Sequence, residues 1–317
     1  MNNNETPSLL PKEPLLASKK PFVQLIFLLL FVIGGMLIFS AIGLFCATLL
    51  WGADIVSNPT AAYYRLIQVF SAVGSFLVPA LLFSFSATRR WFGYSAADKV
   101  PSNGRMFLYV LLLAFFLIPL VGYVAYLNKQ LRLPEALTPV EQWMQQLEES
   151  NNHVLEVILS ATDIPTFLLN LLICAALPAI CEEFLFRGTL QTLFSKWTGR
   201  QHLAIWLSGF IFSAIHLQFS GFFARWLLGA YLGYLFWWSG SLWLPIFAHF
   251  LHNALSVTAQ LLVARGVIAG EEAVTFSDQI PAVVASAVLV AAFLWLVRFS
   301  GDRGQVSGDR KQGIDNS

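Results

Sequence analysis

Residues 21–53 contain no charged side chain, and neither do 66–88 and 106–128. Runs of this length leave few folds open. In hydrocarbon every backbone N–H and C=O must be satisfied within its own segment, which restricts such runs to helices, and about 20 residues suffice to cross the apolar layer. More candidates follow downstream. Residues 164–181 form a fourth run, extended by a helical-looking stretch, 182–197, that keeps Phe184, Leu185, Phe186, Leu190 and Leu193. A fifth run covers 203–224. The stretch 226–264 is too long for one helix, and Ser239-Gly240-Ser241 divides it in two, with Pro245 tolerable in the first turn of the second. Residues 279–297 supply the eighth span. The first run exceeds the about 7 to 15 apolar residues of a signal peptide and is expected to be retained. With 57% hydrophobic and 12% charged residues, the chain is too apolar for a soluble domain, where about 45 to 50% is usual. The expectation is an all-α, polytopic membrane protein of about eight transmembrane helices.

Orientation follows from Lys and Arg. With a cytoplasmic N-terminus the inner segments hold Lys12, Lys19, Lys20, Arg89, Arg90, Lys99, Arg105, Arg187, Lys196, Arg200, Arg298, Arg303, Arg310 and Lys311, fourteen of the nineteen. The outer segments keep Arg65, Lys129, Arg132, Arg225 and Arg265. The positive-inside rule therefore predicts both termini in the cytoplasm. Five regions are expected: a disordered tail at 1–20, three transmembrane helices within 21–128, an external loop at 129–163, a transmembrane core at 164–298 and a disordered tail at 299–317. In the loop, Thr138-Pro139-Val140-Glu141 reads as a capping box. Val140, Trp143, Met144 and Leu147 recur at helical spacing, which predicts an amphipathic helix lying on the outer leaflet. A net charge of +1 gives no indication of nucleic-acid binding. Cys46, Cys174 and Cys181 lie in apolar runs without metal-ligand spacing, and read as small buried hydrophobes.

Against this background Glu182, Glu183, Arg187, His216, His249 and Asn253 stand out. A charged side chain near the bilayer centre costs at least about 2.5 to 3.5 kcal/mol, so such residues are normally buried against one another and put to use. Helix rise places Glu182 about 16 Å from Leu193, His216 about 21 Å from His202, and His249 and Asn253 about 10 and 16 Å from Leu242, a shared depth on the cytoplasmic side. Glu183 and Arg187 are four apart and can pair within their helix, and His249 and Asn253 share a face by the same spacing. Pro178 frees the carbonyl of Cys174 and is placed to bend the helix before Glu182. Plainer readings exist for each. Glu183 with Arg187 fits a structural ion pair, and His216 alone fits a helix-to-helix hydrogen bonder. His252 reads as supporting or lipid-facing, His153 and His202 as ordinary, and Gly229 with Gly233 as a close-packing motif.

Cys181-Glu182-Glu183-Phe184-Leu185-Phe186-Arg187-Gly188 resembles the E-E-x-x-x-R motif of the CPBP family, which joins type II CAAX prenyl endopeptidases to bacterial bacteriocin-processing and immunity proteins. Phe212-Ser213-Ala214-Ile215-His216 is similar to its F-x-x-x-H motif, and His249-Phe250-Leu251-His252-Asn253 to its H-x-x-x-N motif. The three in order, each in an apolar helix, make the resemblance specific over 164–259. It implies a bacterial intramembrane glutamic endopeptidase of the cell membrane, multi-pass and of inner-membrane type, acting on membrane-associated proteins or peptides. In it Glu182 and His216 would activate water, His249 and Asn253 would form the oxyanion hole, and Glu183 and Arg187 would support them. No cofactor is implied. Two Glu and two His leave zinc as the mechanistic rival, although no H-E-x-x-H is present. Other classes stay open: a non-proteolytic membrane scaffold or bacteriocin-immunity protein, and a transporter or proton relay, which should show an inverted repeat that the sequence does not display.

Overall fold

The computed structural model describes residues 13–101, 103–268 and 279–300. Nine helices of three turns or more fall among them: α1 (Pro21–Trp51), α2 (Ala61–Thr88), α3 (Arg105–Lys129), α4 (Thr138–Leu159), α5 (Ile164–Thr198), α6 (Gln201–Ala214), α7 (Phe222–Ser239), α8 (Trp243–Ala264) and α9 (Ile280–Ser300). Apart from short 3₁₀ turns the described residues contain no other regular structure and no strands. Six of these helices, α1, α2, α3, α5, α8 and α9, are long and apolar enough to cross a membrane. The chain is a multi-pass membrane protein. The remaining two of the eight expected spans fall outside that set. With 14 residues α6 reaches only about 21 Å, and α7, at 18 residues, carries Arg225 in its first turn.

Helix ends follow local chemistry. The Thr60 hydroxyl accepts from the Tyr63 amide to begin α2, and the Asp163 carboxylate accepts from the Thr166 amide at 2.9 Å to begin α5. That backbone bond holds the exposed Asp163 carboxyl below the usual carboxylate range. Gly199 and Gly240 end α5 and α7 in the left-handed conformation, at φ 68° and 63°. The break expected at Ser239-Gly240-Ser241 is present, and Pro245 lies in the first turn of α8.

Three sequence expectations change. Residues 203–224 do not form one span, because α6 stops at Ala214 and a turn with Leu217 at φ 52° leads into α7. The expected capping box is displaced: α4 is preceded by a 3₁₀ turn, Glu135–Leu137, and the Thr138 hydroxyl donates to the Glu135 carbonyl at 2.7 Å instead of accepting an amide. Order also begins before residue 20. Leu16 is fully buried in the core around α2, its amide donating to the Ser86 carbonyl and its own carbonyl accepting from Gln24. The rest of the two expected tails, 1–12 and 301–317, lies outside the described residues.

Two apolar clusters flank the polar residues. One gathers Phe83, Phe186, Leu193 and Phe212 from α2, α5 and α6. The other gathers Met106, Leu113, Leu232, Leu244 and Val290 from α3, α7, α8 and α9. Helices α6 and α7 approach most closely where Gly209 meets Gly229, since a Cβ on Gly229 would stand 2.8 Å from the Gly209 Cα. Gly233 leaves room for Gln191, whose amide donates to the Gly233 carbonyl at 3.0 Å. The G-x-x-x-G is thus a packing motif.

Candidate functional site

Helix α5 carries the first part of the site. It is interrupted by wider, π-type turns at Leu171–Ala176 and Phe184–Gln191, on either side of Leu177–Glu183. Pro178 sits between them, where its ring removes a backbone bond, and the Thr189 and Thr192 hydroxyls donate to carbonyls five residues back. Such irregular turns are common at functional positions, because they re-aim side chains along a helix. Glu182 and Glu183 follow Pro178 and are 7% and 0% exposed.

Glu183 is engaged through one oxygen, while its Oε2 is buried without a hydrogen-bond partner. Its Oε1 accepts from the Arg187 guanidinium at 2.5 Å and from His249 Nδ1 at 2.8 Å. Arg187 also donates to the Gly229 carbonyl at 3.0 Å, and its guanidinium lies 4.7 Å from the Phe212 ring centre. The pair expected from the i, i+4 spacing therefore extends to a third residue, His249 on α8, and ties α5 to α7 and α8. Buried ions remain ionised only when paired and hydrogen-bonded in this manner.

Glu182 differs. Its Oε2 is likewise buried without a hydrogen-bond partner, but lies 4.0 Å from His216 Nε2 and 3.8 Å from His249 Nε2. Both distances exceed hydrogen-bond length and suit a group held between the carboxylate and the imidazoles. The tautomers follow from the other ring nitrogens. His216 Nδ1 is 2.6 Å from the Phe212 carbonyl, which can only accept, so Nδ1 carries the proton and a neutral ring presents the Nε2 lone pair. His249 Nδ1 likewise donates to Glu183, which directs Nε2 toward Glu182. Phe212 holds the group from below, edge-on to Phe186, His216 and His249 at centroid separations of 5.2, 4.9 and 5.8 Å.

Glu182, His216, His249 and Asn253 all line one cavity of about 1050 Å³. The six residues singled out from the sequence thus form one assembly, four at the cavity wall and Glu183 with Arg187 behind it. The cavity's other walls come from Val121 and Ala125 near the end of α3, from α4, from the turn after α6, and from Val263 and Ala264 at the end of α8. These are the helix ends opposite Pro21 and Ser300. The shared depth expected from helix rise fits the meeting of Glu182 with His216 and His249 at 4.0 and 3.8 Å.

Helix α4 is part of the site. Asn152, Leu155, Glu156 and Leu159 face the cavity, Ile158 is buried, and Glu148 accepts from the Ser220 amide and hydroxyl. Arg65 fixes its end through the Ile158 carbonyl at 2.7 Å. The expected outer-leaflet helix is thus docked over the bundle, because its apolar stripe finds protein to bury against. Val140 and Trp143 at its start and Leu155 near its end remain exposed. His252 also lines the cavity, which removes the lipid-facing alternative. Sequence reasoning passed over Arg225 and Gln218, both on the wall. The available signal was an arginine inside a long apolar stretch, counted there only toward orientation.

Residues 164–255 match the family model described as type II CAAX prenyl endopeptidase Rce1-like. "Uncharacterized protein YpbD" of Bacillus subtilis (strain 168) is 29% identical over 123 residues, 37% of this chain. The match covers 57% of that relative's length. No solved structure matches the chain.

Proposed function

From the premise that residues 164–255 are a type II CAAX prenyl endopeptidase-like unit within a multi-pass membrane protein, we propose that the chain hydrolyses peptide bonds of membrane-associated proteins or peptides. The observation that carries this reading is Glu182 Oε2, unpartnered and facing two imidazole Nε2 atoms at the wall of a large cavity.

The chemistry needs a base, a place for the reacting water and a site for the charge that develops. Glu182 is the base: it takes a proton as water oxygen attacks the peptide carbonyl, and returns it to the leaving nitrogen when the C–N bond breaks. His216, with its Nε2 lone pair directed at Glu182, orients the water. The tetrahedral oxyanion is received by Asn253 and His249, where donors aimed at developing charge are each worth about 100- to 1,000-fold in rate. Glu183 and Arg187 position His249: Glu183 accepts from its Nδ1, so that the ring donates to the oxyanion once Nε2 also carries a proton, and Arg187 holds Glu183 in place. The reaction proceeds in this reading without a metal. In support, no group of three His, Cys, Asp or Glu among the described residues has the arrangement of a metal site.

The test uses purified protein in liposomes with a library of apolar peptides. Fragments should appear with the wild type, disappear with Glu182→Gln at equal folded protein, and persist after chelator treatment. Undiminished cleavage by Glu182→Gln refutes the role of Glu182. Stoichiometric zinc that leaves and returns together with activity refutes the metal-free route.

A further inference from the structure

We propose that Arg225 is a substrate-reading residue, and that the peptides admitted to this cavity carry a carboxylate that docks on its guanidinium. The proposal rests on the hydrolytic reading above for the identity of the ligand as a peptide, and on charge placement for everything else. The carboxyl, imidazole and guanidinium side chains at the cavity wall are Glu156, Glu182, His216, His249, His252 and Arg225. Arg225 alone among them is a cation at every working pH.

The two arginines near the site are handled differently. Arg187 is neutralised by Glu183 at 2.5 Å. Arg225 has neutral partners, both on Gln218: one terminal nitrogen donates to the backbone carbonyl at 3.2 Å and the other to the side-chain oxygen at 2.5 Å. Among the described residues no carboxylate forms an ion pair with it. Glu148 and Glu182 attract it through space without an ion-pair contact, and the close contacts of the neighbouring acids go to other groups. Glu148 is held by Ser220, Glu183 by Arg187 and His249, and Glu182 faces the two imidazoles. Glu156 stands on the α4 wall without an ion pair.

A guanidinium has five N–H donors, and the bonds to Gln218 use two. The rest are suited to a planar, two-pronged acceptor, for which arginine is the matched partner and lysine is not. The group is also preset. Gln218 clamps its two ends, and Gly221 lies beside it, where a Cβ would stand 3.4 Å from a terminal nitrogen. Holding the fork before the ligand arrives lowers the ordering cost of binding. A peptide can offer this acceptor in two ways, as its free C-terminal carboxylate or as an Asp or Glu side chain, and the chemistry at Arg225 is the same.

A plainer role competes. By gripping Gln218, Arg225 steadies the turn that follows His216, and its loss would then harm every substrate alike. Four fluorescent apolar peptides separate these cases: a free acid, its C-terminal amide, and amidated versions with an internal Glu or Gln. Binding is measured to full-length protein carrying Glu182→Gln, so that turnover is not required. At least one carboxylate peptide should bind about 10- to 100-fold more tightly than its neutral counterpart, and which pair shows the preference identifies the source. Adding Arg225→Gln should abolish the preference while leaving neutral-peptide affinity unchanged, and Arg225→Lys should retain part of it. In the Glu182-containing protein, Arg225→Gln should raise KM for the carboxylate peptide with kcat little changed. Equal losses on charged and neutral peptides, or no preference in the unsubstituted protein, overturn the proposal. Charge-selective binding without cleavage would instead refute the hydrolytic reading and leave the anion site standing.

Discussion

Arg187 offers the sharpest separation of folding from chemistry. It is 1% exposed, donates to Glu183 at 2.5 Å and to the Gly229 carbonyl at 3.0 Å, and brings its guanidinium against the rings of Phe212 and Phe186. Replacing it with alanine leaves Glu183, itself 0% exposed, with only His249 to balance its charge. Breaking a buried pair from one side costs about 3 to 5 kcal/mol, chiefly because the surviving ion is left uncompensated. At roughly 2 to 4 °C per kcal/mol for a chain of this size, Arg187→Ala should melt roughly 6 to 20 °C below the wild type in detergent. The informative comparison is the double variant, Arg187→Met with Glu183→Gln. Removing both charges abolishes the uncompensated ion, so at least half of the lost stability should return. Peptide hydrolysis should not return, because His249 has lost the carboxylate that positions its ring. The assay is a thermal melt followed by size-exclusion fluorescence, paired with cleavage at matched folded protein. An Arg187→Ala melt indistinguishable from wild type, or a double variant no more stable than the single one, would refute the reasoning.

Asn253 has no side-chain hydrogen bond to another described residue, so Asn253→Ala should lower turnover by about 100-fold or more with the melting temperature nearly unchanged; a melt lowered as far as that of Arg187→Ala would mark it as structural. The distribution of Lys and Arg predicts cytoplasmic termini, and the cavity opens on the opposite ends of the helices. A cysteine at Glu149 on α4 should therefore react with an impermeant reagent from outside and one at Asn103 should not, and the reverse pattern would invert the orientation. For Asp163 the folded-state pKa is depressed, so the stability it contributes is present above the unfolded carboxylate range and is lost as pH falls through the lower folded value. Asp163→Asn should flatten that part of the acid stability profile, and an unchanged profile would show that the cap plays no part in it.

The sequence by itself determined that the chain is helical and membrane-embedded, since uncharged runs such as 21–53 have no other stable state in lipid. It also singled out Glu182, Glu183, Arg187, His216, His249 and Asn253, because an ionisable or amide side chain in such a run is costly unless it serves a purpose. The ion pair of Glu183 with Arg187 was legible too, being a matter of spacing within one helix. What periodicity cannot express is which face of one helix meets which face of another. Only the tertiary structure decided that Glu183 would be shared with His249, sixty-six residues away, and that Glu182 would face two imidazoles. The same holds for the shortness of α6, set where a turn rather than a polar run ends the helix. Likewise α4 could have rested on lipid or on protein, since an apolar stripe favours either. Its docking over the cavity, and the placement of Arg225 at that cavity without an ion-pair contact, are consequences of packing between segments distant in the chain.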